Sequence, residues 1–140
     1  MSDTPVFAST REALGMLGAV MGYLAAADVT AMAADAQAEC LLALEEMDAV
    51  KTATRAKFLC AFTAAQGYSA DADYSPRSWL IHKTRITRGA AAGHLAWARR
   101  TAAHPRVAAA LANRQISESY ARKICEWGDK LPRDCGTPPT

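Results

Sequence analysis

The apolar positions of this chain recur at helical spacing from end to end, and runs with a period of two rich in Val, Ile, Thr or aromatics are few. Five helical stretches separated by turn signals follow, with a sixth opening the chain. The first starts at Ser9, which with Glu12 makes a capping box, and carries Leu14, Leu17, Met21 and Leu24 as one stripe, with Gly15, Gly18 and Gly22 as a small-residue face suited to close helix approach. The second is long: from about 34 to 66 there is no Gly or Pro, and Cys40, Leu44, Met47, Thr54, Phe58, Phe62 and Ala65 share one helical face. A loop over 67–73 follows, whose D-x-D is too short for a calcium loop.

Ser75-Pro76 then starts a short helix carrying Trp79 and Leu80, since Ser caps and Pro suits the first helical position. Thr87 restarts the chain as a helix to about Ala103 with Ala91, Leu95 and Ala98 inward, and His104-Pro105 ends it. A short helix spans 105–112 and is closed by Asn113, which tolerates left-handed geometry. Ser117 opens the last helix, with Tyr120, Ala121, Ile124 and Trp127 expected inward.

One construction occurs twice in this region. A short helix runs into a polar turn, then an Ile, then a hydroxyl residue, then a longer helix with Ala four positions on: Ile86-Thr87 with Ala91, and Ile116-Ser117 with Ala121. The hydroxyl can cap the orphan N–H groups of the new helix and the Ile can pack under the bend, which is how helix-turn-helix units are built. The expected fold is therefore all-α: long antiparallel helices packed with a C-terminal pair of helix-turn-helix-like units. Residues 1–131 read as one helical domain, with an acidic long-helix part (1–74) and a basic part (75–131). The Pro-rich stretch 132–140 reads as a disordered tail or truncated linker.

Composition supports the helical reading: 51% hydrophobic residues, largely Ala, with only 7% aromatics favour close-packed helices. Charge adds the functional hint. Residues 1–75 hold ten acids against four bases, and residues 76–140 hold twelve bases against four acids, an asymmetry hidden by the net +2. A basic half suggests a polyanionic partner, although Arg also serves simply to solvate helix faces. On the long helix, Glu45, Glu46 and Asp48 precede Lys51, Arg55 and Lys57 by helical spacings, the usual solvated face.

Other chemistry finds little support. Cys40, Cys60, Cys125 and Cys135 contain no CxxC pair, and the first two, on one helix, lie too far apart to bond. The first three are expected in the core as reduced thiols of a cytoplasmic protein. His82, His94 and His104 have no ligand spacing with any cysteine, so no metal or other cofactor is expected. No nucleophile turn or phosphate loop occurs, and Gly89 and Gly93 inside a helix suggest close helix approach instead, so this chain is not expected to be an enzyme. The uncharged run 13–27 is short for a membrane span, and Ala25-Ala26-Ala27 lacks the basic approach of a signal peptide, so no membrane partner is expected.

The residues W-L at 79–80, T-R-G-A-A-A at 87–92, A-R-R at 98–100, H-P-x-V-A-A-A-L-A from 104 and I-S-x-x-x-A-R-K-I from 116 resemble the domain of unknown function 222 (13E12 repeat) family over about residues 14–131. The resemblance implies a helical module that often precedes an HNH nuclease domain; no HNH residues are present in this chain. A weaker similarity, in the order of helices and capped turns, is to the DNA-binding core of ParB-type partition proteins, except that Lys83–Arg85 and Arg114–Gln115 stand where a turn glycine is common. The reading that follows is a DNA-binding or DNA-targeting module, with Lys83, Arg85 and Arg88 around the first turn and Arg99 and Arg100 beyond it as phosphate contacts. The alternative is an interaction module that dimerises, or docks a partner, through the long helix.

Overall fold

A computed structural model of the chain describes residues 6–131, and every regular element among them is helical. Six α-helices run in order: α1 (Thr10–Ala26), α2 (Ala34–Ala64), α3 (Pro76–Thr84), α4 (Arg88–Ala103), α5 (Pro105–Ala112) and α6 (Glu118–Lys130). Single 3₁₀ turns at Val29–Ala31 and Gly67–Asp71 precede α2 and α3. The chain divides into two compact units with the boundary inside α2, at Cys40/Leu41. Cys135 and the stretch 132–140 lie outside the described residues.

In the first unit, the start of α1 follows from its cap. The Glu12 N–H donates to Ser9 Oγ at 3.1 Å, and the Glu12 carboxylate accepts at 2.8 Å from the N–H of Ala8, one residue before the cap itself. The stripe along this helix is present but not covered: Leu14, Leu17, Met21 and Leu24 are 66, 55, 47 and 41% exposed. A methyl group added at Gly15, Gly18 or Gly22 would meet nothing within 4 Å, so within this unit no helix packs against these glycines. The turn into α2 is held by Gln37, whose side-chain amide donates to Val29 O at 2.8 Å.

The second unit is built on the C-terminal two-thirds of α2. Its buried face consists of Ala49, Thr52, Ala53, Ala56 and Leu59. That face is opposite the one the spacing of large apolar residues suggests: Leu44, Met47 and Phe58 remain 41, 40 and 56% exposed. The reason lies in what packs against the helix. Trp97 of α4 and Leu111 of α5 join Ala49, Ala53, Ala56 and Ala121 in one core cluster, with Val107 and Ile116 against it, so bulky side chains meet small ones. A second cluster joins Leu59, Leu80, Ala91 and Ala98, flanked by Cys60, Phe62, Trp79, Ile81, Ile86 and Leu95. Trp79 anchors α3 to the long helix, its ring centroid 4.5 Å from that of Phe62. A Cβ at Gly67 would strike the same Phe62 ring, which explains glycine where the chain leaves α2.

Two further expectations are corrected. On α6 only Ala121 and Cys125 are buried, while Tyr120, Ile124 and Trp127 are 68, 42 and 70% exposed. The small residues of this amphipathic helix face the core and its large ones face out, as on α2. Gly89 and Gly93 of α4 likewise receive no neighbour: a Cβ on Gly93 would meet nothing within 4 Å, and one on Gly89 would reach only Thr87 Oγ1, at 4.0 Å.

The three cysteines among the described residues are free thiols. Cys125 is 1% exposed, and burial first, then the Asp129 carboxylate, raises its thiol above the ordinary range. Cys60 is half-buried, its Sγ donating to Ala98 O at 3.3 Å, and Cys40 is half-buried near the unit boundary. Labelling of the native protein with a soluble thiol reagent should therefore reach Cys125 last, at the rate of local opening; modification of Cys125 as fast as Cys40 would contradict its placement. Trp79→Ala should cost roughly 2–3 kcal/mol, less than the ~3–5 of a fully buried tryptophan because part of the ring stays in water. Thermal or urea unfolding measures it.

Candidate nucleic-acid interface

The repeated construction of the sequence folds into two joints with matching backbones. In each, one residue adopts left-handed geometry without being glycine: Arg85 at φ 59° and Arg114 at φ 61°. The expectation that Asn113 supplies this conformation is not met; Asn113 has φ −94°, and the reversal comes one residue later. Each joint then buries an Ile partly, Ile86 in the second cluster and Ile116 against the first. Each new helix is capped by the hydroxyl: Thr87 Oγ1 accepts from Ala90 N at 3.1 Å and Ser117 Oγ from Tyr120 N at 3.2 Å. Ala91 and Ala121, four residues past the caps, are both 0% exposed. The alanine is required because each helix start approaches the core there.

The joints differ in charge. At the first, Arg85 and Arg88 bracket the capping Thr87, and both are exposed. Arg88 is the first residue of α4, where unpaired backbone N–H groups also favour anions. At the second, the equivalent first helical residue is Glu118, whose Oε2 accepts from the buried Thr52 hydroxyl at 3.0 Å. A cleft of about 140 Å³ beside this joint is lined by Glu45, Glu46 and Arg114, with Ala49, Gln115, Ile116 and Ser117. Acids at that cleft disfavour phosphate. The first joint is a free cationic turn; the second is tied to α2.

The remaining sequence-predicted site residues fall into three situations. Lys83, in the last turn of α3, lies 3.3 Å from Asp71. The Trp79 indole N–H, which donates to Asp71 at 2.9 Å, and then Lys83 hold that carboxyl below its usual range. Arg99 is exposed, eleven residues after Arg88 and so about three turns along the same face of α4. Arg100 turns the other way: its guanidinium lies 5.0 Å from the Trp97 ring centroid, and its Nη1 is buried with no hydrogen-bond partner among the described residues. Arg85, Arg88 and Arg99 thus form the exposed cationic set, Lys83 is ion-paired beside it, and Arg100 is engaged with the core. Trp97 in the core is not expected from the sequence, and at the second joint the left-handed residue is Arg114, not Asn113, as the correspondence of the two joints indicates.

His94 is half-buried on α4, and its imidazole is held below the ordinary value of 6.5, by burial first and then by Arg55, with Lys51 adding and Glu118 opposing. Among the described residues no group of three or more His, Cys, Asp or Glu is placed to hold a metal ion, and no helix is long and apolar enough to cross a membrane. Comparison of the chain with protein-family models, with curated proteins and with solved structures finds no match.

The His94 environment sets a pH dependence. Its folded value is depressed, so its contribution to stability is fully present above about pH 6.5 and is lost as the pH falls through the folded value, because the unfolded chain takes up the proton first. His94→Gln should remove part of the stability loss between pH 7 and pH 5, read as the difference between the two proteins in urea midpoint against pH. Parallel curves would contradict the placement of His94.

Proposed function

We propose that the chain is a DNA-binding module that engages the phosphate backbone of duplex DNA with the first joint. The observation that carries the reading is the pair Arg85 and Arg88, both exposed and set on either side of a hydroxyl-capped helix start. Glycine is the unstrained residue at the left-handed position of Arg85, as at that of Arg114 in the second joint, so Arg85 can be exchanged for glycine without loss of stability. Arg99 extends the cationic line along α4, and Lys83 adds charge once its pairing with Asp71 loosens. The two capped joints follow the helix-turn-helix order, and membership of the domain of unknown function 222 family, which the chain resembles, would set such a module beside HNH nucleases. In that setting this chain would position a cutting domain on its substrate.

The contacts proposed are to phosphates, so the reading requires steep salt dependence without strong sequence preference. In a fluorescence-anisotropy titration at several salt concentrations, affinity should fall with a slope of about −0.9 per neutralised phosphate, and the Arg85→Ala/Arg88→Ala variant should lower that slope by about two units for every duplex tested. Arg85→Gly separates binding from folding: it should keep or slightly raise the unfolding midpoint while weakening DNA binding. Binding no tighter than that of an unrelated protein of equal charge would overturn the reading.

A further inference from the structure

The outward face of α2 within the second unit has a regular construction that the fold does not use. Leu44, Met47, Lys51, Thr54, Phe58, Ala61 and Ala65 follow one another at alternating spacings of three and four residues, and all are exposed. That is the a/d pattern of a coiled-coil seam, with a at Leu44, Lys51, Phe58 and Ala65 and d at Met47, Thr54 and Ala61. The residues buried against the rest of the unit, Ala49, Thr52, Ala53, Ala56 and Leu59, occupy the b, c and f positions. The helix therefore has two faces: a small-residue one covered by its own unit, and a heptad one carrying Leu44, Met47 and Phe58 at 41, 40 and 56% exposure.

We propose that this face pairs α2 with α2 of a second copy of the chain, antiparallel about a two-fold axis. The orientation follows from side-chain chemistry. In an antiparallel pair each a residue meets a d residue of the other helix. The register that centres the stretch from Leu44 to Ala61 sets Phe58 on Met47, Leu44 on Ala61 and Lys51 on Thr54, each match occurring twice by symmetry. An aromatic ring meets a thioether, a large aliphatic side chain meets a small one, and the lysine meets a hydroxyl. The same register brings Asp48 of one copy beside Arg55 of the other at the flanking e positions, again twice. A parallel pair would set Lys51 against Lys51 inside the seam and would lose both ion pairs. Asp48 is free to make the exchange: its present partner is Lys51 one turn away, at 3.6 Å, with both side chains more than half exposed.

The paired stretch from Leu44 to Ala61 spans about 26 Å and has polar residues at its centre, so the dimer is expected to be reversible and to dissociate on the order of micromolar concentration. This inference stands independently of DNA binding.

The test is sedimentation velocity over a concentration series, with circular dichroism confirming that each variant stays helical. The wild-type chain should pass from monomer to dimer. Phe58→Glu should abolish the dimer, and Asp48→Arg should weaken it about tenfold or more by setting like charges together at two places. Asp48→Arg/Arg55→Asp should recover the wild-type constant to within about threefold, because the exchanged charges pair again only in the antiparallel register. Three results would overturn the proposal: a chain monomeric at all concentrations, a dimer indifferent to Phe58→Glu, or a double variant no better than the Asp48→Arg single. A dimer lost instead on Trp127→Glu would assign the interface to the exposed Tyr120–Trp127 stripe of α6 and overturn it equally.

Discussion

The packing of the second unit rests on the alanine face of α2. Ala49, Ala53 and Ala56 leave a shallow surface into which Trp97 of α4 and Leu111 of α5 can settle, and Thr52 in the same face offers the hydroxyl that holds Glu118 at the start of α6. A hydroxyl and a carboxylate removed from full solvation are tolerable because each satisfies the other. That hydrogen bond joins residues 66 apart in sequence and fixes the second joint to the long helix. Enlarging any of these alanines would push the tryptophan outward and disturb both core clusters, since α4 contributes to each.

Tying down one joint leaves the other to do something else. Both have the same left-handed arginine, partly buried isoleucine, hydroxyl cap and fully buried alanine. At the second joint an acid follows the cap and is held by Thr52; at the first an arginine follows it and faces solvent. The duplicated backbone therefore occurs in two settings, one tied to the core and one facing solvent with two exposed arginines, which is the basis of the proposed phosphate contact. The outer faces of α2 and α6 add apolar surface that the fold leaves uncovered, and the heptad order on α2 gives that face a self-complementary pattern.

Much of this was legible in the sequence because caps and breakers act locally. Ser9, Ser75, Thr87 and Ser117 each cap the helix expected of them, Pro76 and Pro105 each begin one, and the 105–112 helix has the limits read from its composition. Ala91 and Ala121 are buried as the repeated pattern required. Which side of a helix turns inward was harder to read. On α2 the large residues suggested one face and the core took the opposite, small-residue face, a choice made by Trp97 and Leu111 from elsewhere in the chain; on α6 Ala121 is inward as expected, but Cys125 joins it in place of Tyr120, Ile124 and Trp127. Around the first joint, the states of the basic residues are not readable from sequence: Arg100 lies on Trp97 and Lys83 against Asp71, and both depend on tertiary neighbours.

Backbone amide resonances followed during titration with a short duplex DNA at low salt distinguish the two joints. Shifts should concentrate at the start of α4, over residues 85–91, and extend toward Arg99, while the amides of Ser117 to Ala121 stay in place. Equal perturbation at both joints, or shifts centred on the second, would contradict it.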